Sequence, residues 1–291
     1  MHPAPSIIAF TTLSGLGFGL LMFLGLGLPV QTGWPAFWHF GLGFALAVSG
    51  LMSSLLHLGR PERAWKALSQ WRSSWLSREG VLAVAALGVM GVFALGQVFN
   101  LFSLPVLGWI GALLCLVTVF ATSMIYAQLK TVPRWNHWTT PVQFLLYAIG
   151  GGALLAGQVK PALAFIIAAV AFQAVNWALG DRRFQERGHS QETATQLGLM
   201  GQVRAFEPPH TGTNYLLKEM VFSVGRKHAQ KLRVIGLVLA ATPILLLALP
   251  SHPVAIGALA ILHLGGVLTI RWLFFAEAEH VVGLYYGATP V

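Results

Sequence analysis

Eight stretches of this chain are each about 20 residues long and almost wholly apolar: about 6–28, 37–58, 79–101, 105–128, 139–158, 160–179, 232–250 and 253–276. About 20 such residues is the length that a helix needs to cross a bilayer. Backbone groups in lipid must find their partners within the segment, so runs of this kind form helices. The period-2 alternation of a membrane barrel is absent. Composition closes off the alternatives. Only 9% of the residues are charged, against about 25% in an ordinary soluble protein, and such a surface cannot be clothed for water. Disordered chains are poor in apolar residues, whereas 56% of this one is hydrophobic. The expected fold is all-α: a polytopic integral membrane protein of eight transmembrane helices, one membrane domain over 1–291 with no soluble domain. The first run lacks a basic flank and is too long for a signal-peptide core, so it is read as a span.

The basic residues orient the bundle. With eight spans, both termini and the 58–78, 129–138 and 180–231 loops share one side. Of the 18 Lys and Arg, sixteen fall on that side, Lys160 lies alone on the other, and Arg271 is inside the last span. Cytoplasmic loops carry the Lys and Arg excess, so the termini and long loops are expected in the cytoplasm, in the bacterial cytoplasmic (inner) membrane. The 180–231 loop contains one apolar-patterned segment, about 215–229, in which Leu216, Leu217, Met220, Val221 and Val224 recur at helical spacing. It is expected to be an amphipathic helix, lying on the membrane surface or docking a partner. Gly15 and Gly19 in a G-x-x-x-G, and Gly150 to Gly152, are expected to let helices approach closely. Trp34, Trp38, Trp65, Trp71, Trp75, Trp135 and Trp138 near span ends fit an interfacial belt.

Ionisable groups at membrane depth are the candidates for chemistry. His57 closes the second run in LLHLGRPERAW, and Glu79 opens the third in SWLSREG. Both sit at the same end of consecutive helices. An imidazole and a carboxyl there suit a hydrophobic carrier that takes up protons with electrons, such as a quinone. From spacing alone, an interfacial histidine and a helix-start carboxylate favoured by the dipole are the preferred explanation. Arg271, in LTIRWLFFAEAEH, could pair with Glu79, contact a ligand carbonyl or snorkel to the nearby helix end. No span presents two histidines at a repeat suited to stacked haems; His39, His57 and His263 are scattered. The single cysteine, Cys115, excludes a Cys-rich zinc site or a self-contained iron–sulfur cluster. No haem and no metal ligands are expected, and electrons would have to be exchanged with a partner.

Three segments carry a family resemblance. HLGRPERAWKALSQWRSSWLSREG resembles the stretch joining spans two and three in the membrane-anchor subunit of dimethyl sulfoxide reductase, the DmsC family. His57, Leu58, Gly59, Pro61, Arg63 and Ala64, then Leu76, Ser77 and Glu79, stand at matching spacing. TVPRWNHWTTPVQFLLYAIGGGALL resembles that family's approach to span five. The third, TGTNYLLKEMVFSVGRKHAQKLR within the 180–231 insert, looks like the anchor of the cytoplasmic sulfite dehydrogenases, the sulfite-oxidising branch of the family. The resemblance covers most of the sequence and thins in spans six to eight. It implies a complex in which a molybdopterin catalytic subunit and a ferredoxin-like iron–sulfur subunit pass electrons between substrate and quinone (ubiquinone or menaquinone). It also implies that His57 and Glu79 bind the quinone and handle its protons; Arg271, singled out by its depth in the last span and not by the resemblance, is expected to stabilise a reduced, anionic quinone electrostatically. Arg60, Arg63, Lys66, Arg72, Arg78, Lys130 and Arg134 would dock the iron–sulfur subunit. Partners are then these two subunits and membrane lipid, with no nucleic acid. The expected overall reaction is sulfite oxidation coupled to quinone. The rivals are a quinol-oxidising oxide reductase and, from another class, a structural anchor or transporter.

Overall fold

The computed structural model describes residues 1–207, 210, 212–221, 228–248 and 252–286, and for His57 the backbone alone. Among the described residues the regular structure is entirely helical. The long helices are α1 (Pro5–Gly25), α2 (Gly33–Ser53), α3 (Trp75–Phe99), α4 (Pro105–Ala127), α5 (Thr139–Leu155) and α6 (Val159–Gly180). Two short helices follow, α7 (Arg183–Glu186) and α8 (Gln191–Thr195), then α9 (Ala229–Ala241) and α10 (Pro253–Ala276). Seven helical segments are long and apolar enough to cross a membrane, and α5 is a shorter apolar helix of 17 residues. The protein is a multi-pass membrane protein.

The boundaries depart from the apolar runs for local reasons. Helix α3 starts at Trp75, four residues before the run, because the Ser74 hydroxyl accepts from the Ser77 amide and caps it. At the other end of α5, Gly157 adopts the left-handed conformation, at φ +69°, and turns the backbone into α6. This stops α5 at Leu155, short of the expected 158. Helix α9 begins at Ala229 and passes into a 3₁₀ segment, Thr242–Leu247, at Pro243, which cannot donate to the preceding turn. The expected amphipathic helix over 215–229 is visible only as one wide turn, Leu216–Met220; residues 222–227, with Arg226 and Lys227, lie outside the described residues.

Helix α1 is the pillar of the bundle. It packs on α2, α4, α5 and α10, and most of its side chains are buried. Small residues permit this. A Cβ on Gly152 of α5 would fall onto the backbone of Gly19, and one on Gly19 onto the carbonyl of Ala148. Gly19 thus has the packing role expected of it. Gly15, its G-x-x-x-G partner, meets only the Ala148 Cβ at 3.9 Å, an ordinary contact.

Four ionised side chains tie one end of the bundle together. Arg134, before α5, donates to Asp181 at 2.6 Å and Glu277 at 3.4 Å. Arg233, in α9, donates to Asp181 at 2.7 and 2.8 Å and to Glu277 at 2.7 Å. The start of α5, the end of α6, the start of α9 and the end of α10 therefore meet at one end. The Met1 ammonium joins them, donating to the Ala278 carbonyl at 2.9 Å. Burial alone would push the Asp181 carboxyl up, but the hydrogen bonds and charges of Arg233 and Arg134 outweigh it and hold it at about 2.

One tryptophan expected at the interface is elsewhere. Trp135 is buried, stacked on Phe274 with ring centres 5.1 Å apart, and its indole N–H donates to the Phe274 carbonyl at 2.9 Å. The 129–138 loop tucks inward there and leaves Trp138 exposed.

Candidate functional site

The 58–74 loop folds back onto the start of α3. Pro61–Gln70 forms a 3₁₀ segment, and its Leu68 side chain crowds Gly80, where an added Cβ would lie 2.7 Å from the Leu68 Cδ2 atom. The Ser77 hydroxyl donates to the Ala67 carbonyl. Arg78 lies over the Trp75 ring and donates to the carbonyls of Trp71 at 3.0 Å and Arg72 at 2.7 Å. The charged loop and the helix start are thus one locked unit, and Glu79 is held on the face of α3 that meets α4.

Glu79 is not the helix-start carboxylate that its sequence position suggested. It is the fifth residue of α3, it is 4% exposed, and it accepts a 2.5 Å hydrogen bond from the Thr122 hydroxyl of α4. A carboxyl with one donor and little access to water is a group that holds or gives up a proton according to what enters beside it.

Arg271 neither snorkels nor pairs with Glu79. It is 2% exposed, and its guanidinium carbon lies 3.4 Å from the ring centre of Phe144. Its Nε and Nη1 atoms have no hydrogen-bond acceptor. Leaving donors of a charged group unmatched inside a membrane protein is costly, so this arrangement asks for an acceptor.

Arg271 lines a cavity that Glu79 meets only through Thr122. Thr122, the partner of Glu79, lines it together with Arg271, Thr12, Ser14 and Tyr147, around a space of about 10 Å³. That volume admits one water or one oxygen atom of a larger guest. The Thr12 hydroxyl and the Tyr147 phenol are buried and also lack partners. Four elements, α1, α4, α5 and α10, therefore bring polar groups to one point, and three of them bring groups without partners. Deeper on α10, His263 is buried with Nδ1 2.7 Å from the Ala240 carbonyl. That nitrogen must donate, which leaves Nε2 as an acceptor, again without a partner.

The sequence named Glu79 and Arg271 but not Thr12, Thr122 or Tyr147. Hydroxyl residues are common in membrane helices, where they bond back to their own helix, as Thr118 does to the Leu114 carbonyl at 2.7 Å. Nothing local marks Thr122, which lies 43 residues from Glu79, as different. His57 ends the 3₁₀ turn Ser54–His57 that extends α2; its side chain lies outside the described residues.

The basic residues expected to dock a partner divide in two. Arg60, Arg63, Lys66, Arg72 and Lys130 are exposed. Arg134 is held in the four-residue network and Arg78 by the loop carbonyls. Those two have structural work to do within this protein. Among the described residues there is no group of three or more His, Cys, Asp or Glu that could hold a metal.

Comparison with known proteins agrees with this architecture. Residues 1–176 match the family model described as DMSO reductase anchor subunit (DmsC). The sequence is 32% identical to a subunit of the sulfite dehydrogenase of Allochromatium vinosum, over 98% of this protein and 99% of that one. It is 33% identical to a subunit of the anaerobic dimethyl sulfoxide reductase of Escherichia coli, over 40% of this protein and 41% of that one. A subunit of the same enzyme from Haemophilus influenzae is 29% identical over 38% and 40%. No solved structure matches. With a membrane bundle of the expected kind, a family model over more than half of its length and a relative matched nearly end to end, this chain belongs to the DMSO reductase anchor subunit family.

Proposed function

We propose that the protein is the membrane anchor and quinone-reactive subunit of a molybdopterin and iron–sulfur oxidoreductase, and that the complex oxidises sulfite and delivers the electrons to quinone. The observation that carries the quinone reading is the convergence of Glu79, through Thr122, and Arg271 on one buried polar cavity. The sulfite reading is supported by the near end-to-end match to a sulfite dehydrogenase subunit, against partial matches to the reductase subunits.

A quinone takes up two electrons and two protons on reduction. The residues present fit its oxygen: two unused N–H donors of Arg271, the Tyr147 phenol and the Thr12 hydroxyl adjoin a space the size of one oxygen atom. With a quinone bound, Arg271 would orient that oxygen and offset negative charge on it, in a setting dry enough to strengthen the interaction. Glu79 holds a proton at its carboxyl, and Thr122 ties that carboxyl to the cavity wall. His57, at the end of the α2 extension, is proposed as a second proton-handling group, and the exposed Arg60, Arg63, Lys66, Arg72 and Lys130 as the docking surface for the iron–sulfur subunit. Arg134 and Arg78 contribute by shaping that surface. We infer that the docking face and the termini lie in the cytoplasm of a bacterium, a reading supported by the charge asymmetry of the loops.

The test is Glu79→Gln in the purified complex. Loss of a positioned acid–base group lowers turnover by about 10²–10⁴-fold. Sulfite oxidation coupled to a quinone analogue should fall in that range, while sulfite oxidation coupled to a soluble dye that takes electrons from the partner subunits should not change. Unchanged quinone-coupled turnover removes Glu79 from the mechanism. An oxide acceptor reduced in place of sulfite oxidation overturns the sulfite reading and leaves the quinone site standing.

A further inference from the structure

The guanidinium groups at the networked end of the bundle are of two kinds. Arg134 and Arg233 are matched by Asp181 and Glu277. Arg183 and Arg187, on and after α7, are not part of that network. Arg183 is buried and donates to the Arg134 carbonyl and to Asn176 Oδ1, both at 3.0 Å. Arg187 donates to the carbonyl and Oδ1 of Asn136 at 3.3 and 3.1 Å. All of these acceptors are neutral. A guanidinium has five N–H donors, so each side chain retains donors for another group.

Both line one pocket of about 210 Å³, with His137, Asn136, Leu179 and Glu186. Glu186 is the single carboxylate there, against two guanidiniums. The excess is felt by His137. Burial, and then the charges of Arg183 and Arg187, hold its imidazole below the usual range, with Glu186 opposing them. The pocket is therefore electropositive, and its charges disfavour a proton on the imidazole.

Its surroundings are those of a lipid-facing surface. Leu179 and Val175, one turn apart on α6, are exposed apolar side chains. Trp138, also exposed, has its ring centre 5.5 Å from that of His137 and 5.9 Å from that of Phe172. Exposed tryptophan beside an apolar strip marks the headgroup level of a bilayer. Arginine pairs lend themselves to phosphate, which two forks can grip at once. Basic pockets between helices at this level suit anionic headgroups.

We propose that the Arg183–Arg187 pocket binds a phosphate-bearing anion, supplied either as the headgroup of an anionic phospholipid whose acyl tails lie along Val175 and Leu179 or as free phosphate. The site is separate from the Glu79–Arg271 cavity and stabilises the junction of α5, α6 and α7.

The experiment uses the full chain, purified and delipidated in detergent, with its melting temperature followed as phosphatidylglycerol, phosphatidylcholine or inorganic phosphate is added. Phosphatidylglycerol should raise the melting temperature saturably, and Arg187→Gln should raise the half-saturating concentration about tenfold, the effect of losing one charge-assisted hydrogen bond. Arg182→Gln, exposed and outside the pocket, should leave it unchanged. A response to phosphatidylglycerol well above that to phosphate identifies the lipid as the source; equal responses identify free phosphate. Native mass spectrometry of the same samples reads retained phospholipid directly, whatever the resting stability of the variant. Equal effects of phosphatidylglycerol and phosphatidylcholine with none from phosphate, or an Arg187→Gln variant that responds like the parent, overturns the proposal.

Discussion

Replacing Arg271 by methionine separates the two things that a buried arginine can do. The guanidinium has two donors, Nε and Nη1, buried without acceptors. Each such donor costs about 1–3 kcal/mol relative to one that is satisfied. The stacking of the guanidinium on Phe144 at 3.4 Å returns about 1–2 kcal/mol. Methionine fills a similar volume, keeps contact with the ring and has no donor to strand. The variant should therefore be as stable as the parent or more stable, by up to about 4 kcal/mol, since replacing buried charge by apolar volume is often neutral or stabilising. At about 2–4 °C per kcal/mol, the melting temperature of the purified complex stays level or rises. Function moves the other way. If Arg271 holds a quinone oxygen, the lost charge-assisted hydrogen bond of about 1.5–3 kcal/mol lowers quinone-coupled turnover about 10–150-fold. Dye-coupled turnover should not change. A fall in melting temperature with unchanged quinone kinetics would refute the reasoning, because it would make Arg271 a structural residue whose donors are satisfied in the native membrane.

Two further outcomes follow from the packing and from the network. Gly152→Val should destabilise the bundle by about 1–3 kcal/mol through overpacking, because its Cβ falls on the Gly19 backbone; Gly41→Val, with nothing within 4 Å, is the control that should melt like the parent. Asp181→Asn should lower stability by about 1–2 kcal/mol, less than a fully buried pair would cost because Asp181 is partly exposed. Asp181 has a depressed folded value, so its contribution is complete above its unfolded value of about 3.9 and is lost as pH falls through about 2. The stability difference between parent and variant should thus be constant from about pH 7 to about 5, shrink between about 4 and 2, and vanish below; a difference that shrinks above about pH 5 would assign it to another group.

How much of this was legible in the sequence depends on the range of the interaction. The helices were, because apolar length is a property of each segment by itself. Their ends were less so: Ser74 moved the start of α3 back by four residues, and with it changed Glu79 from a helix-start carboxylate to a buried one. Glu79 and Arg271 stood out because charge is rare at that depth. Their relation did not. The direct ion pair that charge alone suggests is replaced by an indirect one, through a threonine and a cavity supplied by other helices. Trp135 shows the same limit. A tryptophan near a helix end reads as an anchor, but whether its loop turns inward depends on Phe274, 139 residues away.

The burial of α1 bears on how the molecule is made. The span with the fewest lipid-facing side chains is synthesised before the helices that enclose it, and α10 follows last among them. Until then the cavity that its Thr11, Thr12 and Ser14 help to line lacks the wall that carries Arg271. A truncated form lacking α10 should therefore insert and yet remain open along one side of α1, a state that a quality-control protease can recognise. Completion of the polar cavity and completion of the fold are the same event.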